Sequence, residues 1–273
     1  MRTILIIAAK EIREGMRNRW VLATTLLMAT LALTLAFLGS APTGSVGAGA
    51  LDVVVVSLSS LSVFLVPLIA LLISHDAIVG ESERGTMLLL LSYPLARWQV
   101  IAGKFAGHLT ILAFATLVGY GTAAVALAGS GRLDGTAGWP AFAALIGSSV
   151  LLGAVFVSIG YFVSAMSDQR GTAGGVAIGV WLLFVLIYDM ALLGLLVVDQ
   201  GRTVTPEALN ALLLLNPTDT YRIFNLGGTA SAVAGMGIAD QSTLASGTLM
   251  LALLLWAAAP LAATMLVFSR REP

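Results

Sequence analysis

The sequence predicts an all-α polytopic membrane protein with six transmembrane helices and an N-terminal interfacial helix. Three observations predict it: too few charges to wet a surface, six apolar runs of about span length, and a one-sided distribution of Lys and Arg. Hydrophobic residues make up 58% of the 273 and charged residues 10%, with a mean hydropathy of +0.97. A soluble domain of this size carries about 25% charged residues, so lipid contact has to replace the missing polar surface. Lys+Arg and Asp+Glu balance at 14 each, which implies no nucleic-acid partner. With no cysteine there is no disulfide framework, thiol chemistry or thiolate metal site.

Residues 1–20 form the first element. Leu5, Ala8, Ile12, Met16 and Trp20 recur at helical spacing, with Lys10, Arg13, Glu14 and Arg17 on the other side. This is the pattern of a helix lying at a membrane surface. The bland alternative is a basic flank that only sets topology. A cleaved signal peptide is disfavoured. The charged prelude is long, the apolar run after it exceeds an h-region, and Pro42 follows the one plausible cleavage site.

Six runs near the ~20 residues that cross a bilayer follow: Val21–Gly39, Leu51–Ile73, Phe105–Ala128, Pro140–Ala165, Thr172–Val198 and Ser246–Phe268. The segments on the side of the termini, which are 1–20, 74–104, Arg170 and the C-terminal tail, hold eleven Lys and Arg. The opposite side holds three, Arg132, Arg202 and Arg222. The positive-inside rule then puts both termini in the cytoplasm of a bacterial inner membrane.

The longest outer segment, 199–245, contains two helix starts. Thr205-Pro206-Glu207 combines a capping hydroxyl, a proline where its missing N–H costs nothing, and an acid at the positive dipole end. A short apolar helix over Ala208–Leu215 stops at Asn216-Pro217, and a second start leads to the break at Gly227-Gly228. Such helices either dip into the outer leaflet or form a docking platform. The run Leu226–Gly237 is expected to be flexible. No internal repeat is present, and 1–273 reads as a single membrane domain.

Chemistry of its own is hard to find in the chain. No G-x-x-x-x-G-K-[ST] phosphate loop occurs, since Gly103-Lys104 lacks the upstream glycine and the following Ser or Thr. Any ATP-driven work therefore belongs to a second polypeptide. H-E-x-x-H is absent, and His75 and His108 are the two histidines. Tyr188-Asp189 lacks the second carboxylate of an aspartyl protease. The nine Met residues form no M-x-M or M-x-x-M relay for Cu(I). No metal site and no directly bound cofactor are expected. Asp189, the one acid well inside an apolar run, marks either an early end of the fifth span or a polar pathway lining. Gly171, Gly175 and Gly179 share one helix face, suited to close packing within one subunit or between two.

The loop 74–104 is the most informative stretch. It runs Glu81-Ser82-Glu83-Arg84-Gly85-Thr86, an apolar helix Met87–Leu91, Ser92-Tyr93-Pro94, Arg97-Trp98 and Gly103-Lys104. Physically it is a charged patch, a short helix, a proline stop and a basic anchor, which would also suit a loop lying on the membrane. This wording resembles the membrane subunits of ABC-2-type transporters, in which E-x-E-R-G-T, a leucine run, S-x-P, R-W and G-K recur in this order. The resemblance covers the whole chain and implies a type V exporter-like fold. It also implies that the loop is a coupling helix docking in a cleft of a separate ABC ATPase, which binds the ATP and Mg. The coupling residues are then Glu81, Glu83, Arg84, Gly85, Thr86, Met87, Leu88, Leu91 and Pro94. A shorter contact comes from Ser167, Asp168 and Arg170. Leu88 departs from the family pattern, in which many members carry an acid there.

The resemblance further implies a homodimer with two ATPases, and it makes the outer helices a seat for a periplasmic partner protein. The function expected is a non-catalytic permease coupling ATP hydrolysis to transport or mechanical work. The alternatives are an exporter of lipid, drug or glycan, and a non-transporting scaffold that passes ATPase motion to periplasmic proteins.

Overall fold

A computed structural model describes residues 2–38, 50–131, 138–199, 202, 204–226 and 244–270, and among these every regular element is helical. α1 (Arg2–Met16) is followed by α2 (Arg19–Leu38), α3 (Ala50–Ser74), α4 (Val79–Glu83), α5 (Thr86–Leu91), α6 (Arg97–Gly129) and α7 (Gly138–Met166). α8 (Arg170–Leu182) passes through a π-helical turn, Leu183–Ile187, into α9 (Tyr188–Asp199). α10 (Pro206–Leu214), α11 (Pro217–Leu226) and α12 (Ser246–Arg270) complete the chain.

Five helical stretches are long and apolar enough to cross a membrane, and there are six if α1 and α2, bent by 70°, count as one span. The expected first span falls on α2, the apolar half of that pair, which has 20 residues, about 30 Å at 1.5 Å per residue. The other five expected spans fall on α3, α6, α7, α8–α9 and α12. The third starts eight residues before its expected boundary. Pro94 precedes it, and Gln99 Oε1 accepts the Ala96 backbone N–H at 3.2 Å, so the helix is already capped at Arg97. With 33 residues, about 50 Å, α6 outruns the ~30 Å apolar layer. Gly103-Lys104 consequently belongs to this helix and not to a loop.

α7 is the centre of the bundle, packed against α3, α6 and α12; 67% of its most apolar stretch is buried, against 11% for α8–α9. Close approach is bought with glycine at Gly119, where an added Cβ would stand 3.0 Å from Met28 Cβ on α2. The start of α6 meets the end of α12 where Arg97 Nη1 donates to the Phe268 and Ser269 carbonyls at 3.0 and 3.1 Å. α1, α4, α5 and the C-terminal end of α12 thus gather at one end of the bundle, the terminal end. α10 and α11 lie toward the other.

α1 also has a protein-facing side that its apolar pattern did not announce. Ile7, Ala8 and Glu11 are buried against α6, whereas Leu5 and Met16 are exposed and left for lipid. The contacts advance in step, Ile7 with Gly103, Glu11 with Gly107 and Gly15 with Ile111, so α1 runs alongside α6. The Leu226–Gly237 run and the break at Gly227-Gly228 lie, beyond Leu226, outside the described residues.

Candidate coupling site

Two short helices project from the terminal end on a braced base. The Ser164 hydroxyl of α7 accepts the backbone N–H groups of Ile78 and Val79 at 3.0 and 3.1 Å, which pins the start of α4. Gly85 has φ +70°, a left-handed conformation costly for any residue with a Cβ, and it reverses the chain into α5. Thr86 Oγ1 donates to the Glu81 carbonyl at 3.2 Å across that turn. α5 then presents Leu88 and Leu89, 57% and 67% exposed, flanked by exposed Arg84 and Pro94. An apolar pair held out on a rigid hairpin is a docking feature, since central apolar contacts dominate most interfaces.

Several residues expected to touch a partner turn inward instead. Met87 is 2% exposed and belongs to the core. Glu83 is exposed, but its Oε1 accepts the Arg170 backbone N–H at 2.9 Å, capping α8 at its positive end. Arg170 Nη2 donates to Asp76 Oδ2 at 2.7 Å. Ser167 is buried and donates to the Val163 carbonyl, while Asp168 is exposed beside it. Leu91 closes α5. The two predicted contact segments, 81–94 and 167–170, are thus joined to one another through Glu83 and Arg170.

Glu81 is not available to a docking protein either, because it lies in a buried ion cluster. Lys104 Nζ, with a side chain 3% exposed, sits 2.8 Å from Glu11 Oε1 and 2.9 Å from Glu81 Oε1. Lys10 closes the cluster on its solvent side at 3.5 Å from Glu81 and 3.7 Å from Glu11. Burial works against the Glu11 charge, but Lys104, its hydrogen bond, His108 and Lys10 outweigh it and hold the carboxyl below its ordinary range. His108 stands by at 3.6 Å from Glu11 Oε2, its Nδ1 hydrogen-bonded to the Tyr161 hydroxyl at 2.8 Å. A cavity of about 550 Å³ opens beside the cluster, lined by Glu14, Asn18, Asp76, Arg84 and His108 among others. Sequence reasoning missed Glu11, Lys104 and Asp76. The available signal was a lysine inside an apolar helical run, which must find a counter-charge.

Toward the other end, α10 and α11 form a hairpin wedged into the bundle. Its turn residues Asn216 and Thr218 both donate to the Phe184 carbonyl at 3.0 Å, in the π-turn half-way along the fifth span. The widened turn frees that carbonyl from the helical ladder. Asp189 neither ends the span nor stands alone: its Oδ2 accepts from Arg222 Nη2 at 2.8 Å, and Arg222 Nη1 also donates to Asp219 at 2.9 Å. Tyr221 Oη lies 2.8 Å from Ser149 Oγ, which is 3.2 Å from Ser62 Oγ. Tyr188 and Trp256 also donate to the Leu212 and Leu214 carbonyls at 2.7 and 3.0 Å, so both outer helices are held against the spanning helices. Among the described residues, no atom beyond their own helix lies within 4 Å of a Cβ added at Gly171, Gly175 or Gly179, so this face makes no close contact with the other described helices.

The described residues thus form a multi-pass helical bundle with a braced hairpin at one end. The chain belongs to the ABC-2 family of transporter proteins, whose family model matches residues 5–272. It is 48% identical over 274 residues to the probable ABC transporter permease protein NosY of Pseudomonas aeruginosa, with 99% of each chain covered. A second relative, the probable ABC transporter permease protein NosY of Stutzerimonas stutzeri, is 46% identical over 276 residues with the same coverage. The protein is therefore an ABC transporter permease subunit, similar to NosY over its full length.

Proposed function

We propose that this permease is driven by a separate, NosF-like ABC ATPase that docks on α5 from the cytoplasm and carries the bound ATP and Mg. The carrying observation is the α4–α5 hairpin: Leu88 and Leu89 stand exposed on a base tied to α7 through Ser164 and to α8 through Glu83. A load applied at such an apex moves the spans as rigid bodies. The excess of Lys and Arg on the terminal side supports a cytoplasmic location for both termini in the inner membrane. Two copies of the chain work with two ATPases, and the open glycine face of α8 supports close helix contact between them. Following its likeness to NosY, the assembly serves copper-centre formation in periplasmic nitrous-oxide reductase, together with a NosD-like periplasmic protein.

Mechanical work on periplasmic partners is favoured over export of lipid, drug or glycan by the wedged α10–α11 hairpin. Its bonds to Phe184 and Asp189 tie the far end of the molecule to the fifth span, so motion of that span is delivered there. The test is co-purification of the detergent-extracted chain from its native membrane. An ATPase together with a periplasmic protein is expected, and an ATPase alone would favour the exporter.

A further inference from the structure

We propose that the Glu11–Lys104–Glu81 ion cluster makes α1 a moving part of the coupling device, so that displacement of α5 is delivered to α1 and the first span. This inference rests on the assignment of α5 as the ATPase dock. α4 packs chiefly on α5 and α8, and the Glu81 side chain is what reaches α1 and α6. There its Oε1 meets Lys104 at 2.9 Å, and Lys104 meets Glu11 at 2.8 Å. Three elements distant in sequence are joined at one ammonium.

The α1–α6 contact has no need of charge to hold together. Gly103 and Gly107 let the helices approach until an added Cβ would stand 2.8 Å from Ile7 Cβ and 2.5 Å from Glu11 Cβ. Well-packed apolar side chains stabilise such a contact as well as a buried ion pair does. What the ions add is a link to α4 and a fixed register. Lys10 adds a second cation at the solvent edge, 3.5 Å from Glu81 and 3.6 Å from Glu14. α1 in turn joins α2 at a 70° bend, where Arg17 and Asn18 separate the helices. Glu81, Lys104 and Glu11 are accordingly positioning residues: a push on α4 moves α1 with it, and the bend converts this into tilt of α2.

The chain has no cysteine, so paired spin labels are placed freely. Labels at Leu5→Cys on α1 and Trp139→Cys on α7 report α1 motion; labels at Tyr93→Cys and Trp139→Cys report motion beside α5. Distances are measured by electron–electron resonance in the complex with its ATPase, with and without ATP trapping. Glu81→Ala cuts α4 free while leaving the Glu11–Lys104 pair whole. The expected result is an ATP-driven shift of both pairs in the wild type, and loss of the Leu5 shift alone in Glu81→Ala. The apolar triple variant Glu11→Leu, Lys104→Met, Glu81→Leu should behave identically. A purely structural cluster predicts a Leu5 shift of wild-type size in whichever variant folds, and that result overturns the inference. If neither pair shifts in the wild type, the α5 coupling assignment fails and the inference with it.

Discussion

Arg222→Met is the sharpest perturbation of the far end. Arg222 donates to Asp189 at 2.8 Å and to Asp219 at 2.9 Å, and its own side chain is 19% exposed. Methionine keeps most of the volume but leaves two carboxylates, 21% and 5% exposed, with no cation between them. Breaking a buried pair from one side costs about 3–5 kcal/mol, and the residual exposure puts this site near 3 kcal/mol. The loss should appear as a lower unfolding temperature in detergent. It should also appear as faster labelling of a cysteine placed at Tyr188, whose hydroxyl donates to the Leu212 carbonyl at 2.7 Å. A double-mutant cycle with Asp189→Asn isolates the pair, and a coupling of about 2 kcal/mol is expected for groups in direct contact. The neutral triple variant Arg222→Met, Asp189→Asn, Asp219→Asn should recover much of the loss. Wild-type melting of Arg222→Met, or strict additivity in the cycle, would refute a stabilising role for the Asp189–Arg222–Asp219 bridge.

Gly175→Leu should leave the folded subunit intact, because among the described residues no atom beyond its own helix lies within 4 Å of an added Cβ, while lowering the dimer fraction measured by light scattering in detergent. Topology is checked with single cysteines at the exposed Arg84 and Arg202: an impermeant thiol reagent should label position 202 and spare position 84 in intact spheroplasts. Glu11 predicts a pH dependence. Its carboxyl is depressed in the folded state, so its contribution is present above the ordinary value of 4.5 and is lost as pH falls through the folded value. Unfolding temperature should therefore drop below about pH 4.5, and Glu11→Gln should flatten that drop.

The spans were legible because hydropathy alone dictates them, and the start of α10 because capping is local. Thr205 Oγ1 does accept the Ala208 N–H, at 3.3 Å, with Pro206 in the first turn. Charges with distant partners were misread. Lys104 looks like the end of a loop until Glu11, 93 residues away, is seen beside it. Asp189 reads as a span end or a pathway lining, and nothing local announces Arg222, which α11 brings to it from 33 residues further on. The packing face of α1 was hidden for a related reason. Leu5 and Met16 supply the larger apolar signal and stay exposed, whereas Ile7 and Glu11 are the side chains that fit against Gly103 and Gly107. Helical period reveals that a helix is two-sided, but not which side meets protein and which meets lipid.

Docking of a separate ATPase on α5 is the central claim, and photo-crosslinking tests it most directly. A photoreactive amino acid at position 88 or 89 stands on the exposed apex, whereas one at Leu251, 57% exposed on α12, stands on a membrane-spanning helix. Irradiation of native membranes should join positions 88 and 89 to an ATP-binding subunit and leave position 251 free of it. Crosslinks from 88 and 89 to lipid alone, at full expression and with the ATPase co-purifying at normal yield, would contradict the account.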